Sequence, residues 1–85
     1  MATDADIRAT IDRLLDARGE GKTICPSDAA RAIAPDDEER WRGLMDDVRR
    51  VAFALADDGA IEVTQRGEVV DGRRARGPIR LRRPG

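Results

Sequence analysis

The amino-acid sequence predicts a small, mainly α-helical domain that closes with a β-hairpin. Three observations carry this reading. Apolar residues recur at helical spacing through the first two thirds of the chain. Short alternating apolar and charged runs begin at Ile61 and again at Ile79. Between those runs lies a loop loaded with arginine: Arg73, Arg74 and Arg76, with Arg66 at its root. Helix, short strand, helix, helix and hairpin, in that order, outline a winged helix-turn-helix, a three-helix domain with a C-terminal wing. At 85 residues the chain is read as a single domain over 1–85.

Each element has a local cause. Thr3 precedes Asp6 at capping-box spacing, and Ile7, Ile11, Leu14 and Leu15 place one apolar stripe on a helix over 4–18. Gly19-Glu20-Gly21 ends it. Lys22-Thr23-Ile24 is a short extended piece. Pro26 suits the first turn of a helix over 26–34, where its missing N–H costs nothing. Ala29, Ala30 and Ile33 face inward on it, and Pro35 closes it. The acidic run Asp36-Asp37-Glu38-Glu39 favours the dipole at the start of a third helical region. There Trp41, Leu44, Met45, Val48, Val51, Ala52 and Leu55 keep helical spacing up to Asp58-Gly59. A break, if present, is expected near Asp46, a good N-cap.

Ile61 and Val63 then alternate with Glu62 and Thr64 as a half-buried strand. Val69 keeps the same parity, with Gly67 as a bulge between them. Asp71-Gly72 is a turn signal. Ile79 and Leu81 alternate with Arg80 and Arg82 in the returning strand. A two-stranded hairpin is marginal alone in water, so it must pack on the helices. Phe53 lies off the main helical stripe and is the expected seat for the wing.

Charge is unevenly spread. Residues 1–58 carry nine basic and fourteen acidic side chains, whereas residues 59–85 carry seven arginines against Glu62, Glu68 and Asp71. The basic tail points to a polyanion, and nucleic acid is the expected partner. The candidate contacts are Arg66, Arg73, Arg74, Arg76, Arg80 and Arg82 on the wing, with Arg42 and Arg49 on the third helical region. The plain alternative for the wing is a charged, aggregation-resistant sheet edge. For the helix it is a ladder of ion pairs, Arg42 with Asp46 and Asp46 with Arg50. The acid at 36–39 would repel a phosphate backbone. It favours a second reading, a protein-interaction module of the same shape.

Enzymatic chemistry is not expected. There is no histidine, so the commonest general base and zinc ligand are missing. The single cysteine, Cys25, allows no disulfide within the chain and is read as structural. Adjacent acid pairs on a helix do not face each other and chelate poorly. Gly19-Glu20-Gly21-Lys22 lacks the spacing of a phosphate loop. No catalytic residue, metal, cofactor or small-molecule ligand is implied. The N-terminus lacks a signal-peptide pattern and no run is long enough to span a membrane. A cytoplasmic location is therefore expected, with no membrane partner.

The segments Cys25-Pro26-Ser27-Asp28-Ala29-Ala30-Arg31, Trp41-Arg42-Gly43-Leu44-Met45, Val48-Arg49-Arg50-Val51-Ala52, Thr64-Gln65-Arg66-Gly67, Val69-Val70-Asp71 and Gly77-Pro78-Ile79-Arg80-Leu81-Arg82 follow in order. Together they resemble a family of short bacterial proteins of unknown function with a winged-helix-like fold. The resemblance covers nearly the whole chain and implies that fold and a bacterial cytosolic setting. It implies no catalytic or ligand residue. Similar proteins tend to carry proline near Asp46-Asp47 and after Asp71, where this chain has Gly72. Glycine there implies a more flexible wing tip.

Overall fold

A computed structural model describes residues 2–85. Its elements are α1 (Asp4–Arg18), β1 (Thr23–Ile24), α2 (Pro26–Ile33), α3 (Glu38–Gly43), α4 (Met45–Asp57), β2 (Glu62–Gln65), β3 (Glu68–Val69) and β4 (Arg80–Arg82). The architecture is mixed α/β: four helices and one antiparallel four-stranded sheet of order β1-β4-β2-β3. The short strand at Thr23–Ile24 lies where the sequence places one, and the strand beyond expectation is β3.

The helix starts follow their capping residues. The Asp6 N–H donates to Thr3 Oγ1 (3.1 Å), and the Thr3 N–H donates to Asp6 Oδ2 (3.0 Å), closing the capping box. On α2, the Cys25 N–H donates to the Asp28 carboxylate at 2.9 Å. Asp37 caps α3 by accepting from the Arg40 N–H at 3.0 Å. The third helical region is two helices, and the break falls at Leu44 rather than Asp46. Gly43 weakens helix propensity there, and the Leu44 N–H turns back to the Trp41 carbonyl (3.1 Å), a tighter turn than the α-helix makes.

The core joins every layer. Ile7, Ile11 and Leu15 from α1 and Ala29 and Ala30 from α2 meet Val48, Val51, Ala52 and Leu55 from α4. Ile24, Ile61, Val63, Ile79 and Leu81 supply the sheet side. Strand β4 is central. Leu81 lies opposite Ile24 of β1 on one side and Val63 of β2 on the other. The alternation of Ile79 and Leu81 with arginine is what puts apolar groups on one face of this strand and guanidinium groups on the other.

The main departure from expectation lies at Gly67. The strand does not bulge there; it reverses. Arg66 (φ 53°) and Gly67 (φ 82°) form a two-residue turn, with Gln65 paired to Glu68 and Thr64 to Val69. Positive φ at both turn positions gives the twist that suits a tight hairpin. The reversal puts Val69 on the edge strand at 58% exposure, so it is not a partner of Val63 in the core. Val70 follows it as a half-buried residue, its N–H bonded to the Val63 carbonyl at 2.9 Å.

The arginine loop then crosses the C-terminal half of α4. Phe53 is partly covered by it, in line with its expected place beneath the returning chain. Gly72 is where the chain comes closest: a Cβ built there would lie 2.8 Å from Phe53 Cδ1 and nearer still to Cε1. Gly72 is thus a residue of close approach as well as a source of backbone freedom. Gly72→Ala is expected to lower stability by about 1 kcal/mol, the low end for overpacking because the half-buried ring can shift. Chemical denaturation should show Phe53→Leu relieving most of that loss in the double variant.

Candidate nucleic-acid interface

The structure separates the eight candidate arginines into engaged and free groups. Arg73 reaches back to α4, where Nη1 and Nη2 donate to the two Asp57 oxygens at 3.0 and 2.9 Å, and its guanidinium lies 5.6 Å from the Phe53 ring centre. Arg82 Nε donates to Glu62 Oε1 at 2.8 Å, directly across the β2–β4 pair. Arg80 points to the other edge of the sheet, donating to the Thr23 hydroxyl (2.9 Å), the Thr23 carbonyl and the Cys25 sulfur. Arg83, which adds to the charge of the tail, is held by Asp12 and Asp16 of α1 at 3.1 and 2.8 Å. Much of the tail's positive charge is therefore spent inside the domain.

The helical candidates are likewise reduced. Arg42 pairs with Glu38 at 2.8 Å and lies 5.6 Å from the Trp41 ring centre; it does not pair with Asp46. The first rung of the expected ladder fails because the chain breaks at Leu44, which puts Arg42 and Asp46 on different helices, and the second because Arg50 turns to other carboxylates. Arg50 pairs with Asp47 of its own helix (3.3 Å) and, bidentately, with Asp4 at the start of α1 (2.8 and 2.7 Å). Arg49 is exposed and makes no ion pair among the described residues, but Asp46 and Asp47 are exposed on the same helix.

Three arginines of the turn and loop between β2 and β4 remain. Arg74 is 89% exposed and has only a long contact, 3.7 Å, to Asp71. Arg66 and Arg76 are exposed and make no ion pair among the described residues. They come together: both line a shallow depression of about 320 Å³ with Gln65, Glu68, Val70 and Pro78. Gln65 holds the depression's two walls. Its side-chain nitrogen donates to the Arg76 carbonyl (2.7 Å) and the Pro78 carbonyl (3.1 Å), tying the loop to the end of β2. No role for Gln65 follows from the sequence alone. The available signal was its place as the last strand residue before a glycine turn, and nothing local names a carbonyl eleven residues on.

The exposed ion pairs shift their carboxylates. The hydrogen bond from Arg73, helped by its charge, holds Asp57 below the ordinary carboxylate range against a small opposing desolvation. The Arg50 hydrogen bond does the same for Asp4. The Thr3 N–H and hydroxyl lower Asp6. A lowered folded-state pKa stabilises the fold above the unfolded value, and that contribution is lost as pH falls through the folded value. With no histidine in the chain, melting temperature is expected to stay level between about pH 5.5 and 7.5. It should then fall progressively below about pH 4. Asp57→Asn should flatten part of that acid limb in a melting series.

A second concavity lies on the opposite side of β3. It has a volume of about 440 Å³, an apolar floor that includes Phe53, Ile61, Val63 and Val69, and a rim that includes Asp57 and Arg73. Among the described residues no group of three or more His, Cys, Asp or Glu is placed to hold a metal ion. No helix is long and apolar enough to cross a membrane.

These features define a small mixed α/β domain with a surface turn carrying free arginines. The chain belongs to the DUF3253 family, described as a protein of unknown function, whose family model matches residues 4–84. No curated protein matches it.

Proposed function

We propose that this chain is a non-enzymatic binding domain of winged-helix type that contacts nucleic acid through the tip of its wing. The element order supports the fold assignment: helix, strand, helix, two short-linked helices, then strands that return beside β1. The observation that carries the partner is the pair Arg66 and Arg76, two arginines that line one depression and make no ion pair among the described residues, while their neighbours Arg73 and Arg82 are bound to carboxylates. Contacts of this kind go to phosphates, which fix position and carry no sequence information. The exposed acids of α3 and α4 oppose seating of those helices against a phosphate backbone, so the wing leads.

Fluorescence anisotropy with labelled duplex DNA and RNA, at low and moderate salt, tests this reading. Binding that weakens steeply with salt supports it. Absence of binding at low salt would sink it. A second reading, a protein-interaction module, is favoured by one specific feature. Val69, the one exposed large apolar side chain among the described residues, stands on an edge strand beside the Phe53 concavity. Val69→Lys should leave nucleic-acid binding intact if the first reading holds.

A further inference from the structure

The Arg66–Arg76 depression has more construction than a diffuse basic patch requires. We infer that it is a discrete oxyanion site for a phosphate-type group, and that Gln65 is the positioning residue that builds it. The inference deepens the nucleic-acid reading and rests on it for the source of the phosphate.

Both walls are fixed by the fold. Arg66 sits in a two-residue turn whose φ values, 53° and 82°, leave its backbone little freedom. Arg82 supports that turn, its Nη1 donating to the Gly67 carbonyl at 3.3 Å. Arg76 belongs to the long loop, which would otherwise be free to drift. The Gln65 amide commits its donors to the Arg76 and Pro78 carbonyls, so the loop backbone is clipped to the same strand end that carries Arg66. Two arginines whose backbones are held to one strand end can bring two guanidinium forks to one oxyanion, and ordering that backbone lowers the ordering cost of binding.

The neighbouring arginines provide the contrast. Arg73, Arg82 and Arg83 each have a carboxylate within 3.1 Å, whereas Arg66 and Arg76 have none among the described residues. Glu68 also lines the depression and is paired with neither arginine. It is a like charge for any incoming anion, so it tempers the affinity.

Nuclear magnetic resonance of the arginine Nε–Hε groups tests the inference, using inorganic phosphate and, separately, a short oligonucleotide as probes at constant pH and ionic strength. Phosphate is expected to shift Arg66 and Arg76 together and saturably, ahead of Arg49 and Arg74. Gln65→Ala, which leaves the charge unchanged, should weaken phosphate binding by about tenfold, the loss that follows when an ordered pair becomes a loose one. Glu68→Gln should tighten it severalfold and serves as the independent variant should Gln65→Ala lose structure. Equal shifts at all exposed arginines would overturn the discrete site, as would wild-type affinity in Gln65→Ala or no gain in Glu68→Gln. Oligonucleotide binding without a saturable phosphate site would refute this inference and leave the proposed function standing. Phosphate binding without oligonucleotide binding would do the reverse.

Discussion

Leu81→Ala is expected to melt roughly 8 °C or more below the wild type. Leu81 is fully buried in the middle of β4, opposite Ile24 on one side and Val63 on the other. It is therefore the side chain through which both halves of the sheet meet the helices. Truncating a buried leucine removes its transfer energy and leaves a cavity, together about 2–5 kcal/mol. In a domain of this size each kcal/mol moves the midpoint by roughly 4–8 °C. Stability of a chain this short is a few to about a dozen kcal/mol, so the variant loses a large fraction of it. Circular dichroism melts and urea midpoints check the value. Leu81→Met, which conserves volume, should cost less than about 1.5 kcal/mol. A shift under about 5 °C for the alanine variant would mean that β4 is not the centre of the sheet.

The second large effect is on binding. The double variant Arg66→Ala/Arg76→Ala is expected to lower affinity for nucleic acid by about a hundredfold at low salt. Each charge-assisted bond is worth about 1.5 kcal/mol or more, close to a factor of ten. The slope of log affinity against log salt should shrink by about two units, one for each lost phosphate contact. Arg73→Ala is the informative control, because it removes the same kind of charge from the same loop. Its guanidinium is already committed to Asp57, so its loss should change affinity far less. If the charge of the tail acted only as a diffuse field, the three positions would count equally.

Much of the fold was legible because its determinants are local. Thr3 and Asp6 are three residues apart and cap α1 as their spacing implies. Ile7, Ile11 and Leu15 fall on one face and are buried. The alternation of Ile79 to Arg82 specifies a strand, and the neighbouring glycines specify its ends. The misreading at Gly67 has a physical cause. A single glycine in an apolar–polar alternation fits a bulge as well as a turn. The turn wins because Arg66 also adopts positive φ, a conformation that sequence gives little reason to expect of arginine.

The interface was less legible because ion pairing is non-local. The tail's seven arginines are visible in the sequence, but their partners are not. Arg83 finds Asp12 across 71 residues and Arg73 finds Asp57 across 16. Arg50 finds Asp4 across 46, which replaces the helical ladder that the spacing suggested. Only the folded arrangement separates the guanidinium groups spent on carboxylates from those left at the surface. It also brings in Gln65, whose importance depends on a loop carbonyl placed beside it.

The most direct test of a wing-led contact is a map of backbone amide shifts on adding duplex DNA at low salt. Shifts concentrated at 65–68 and 74–77, fading as salt is raised, are the expected result. Shifts running along the exposed face of α4, or centred on Phe53 and Val69, would contradict it.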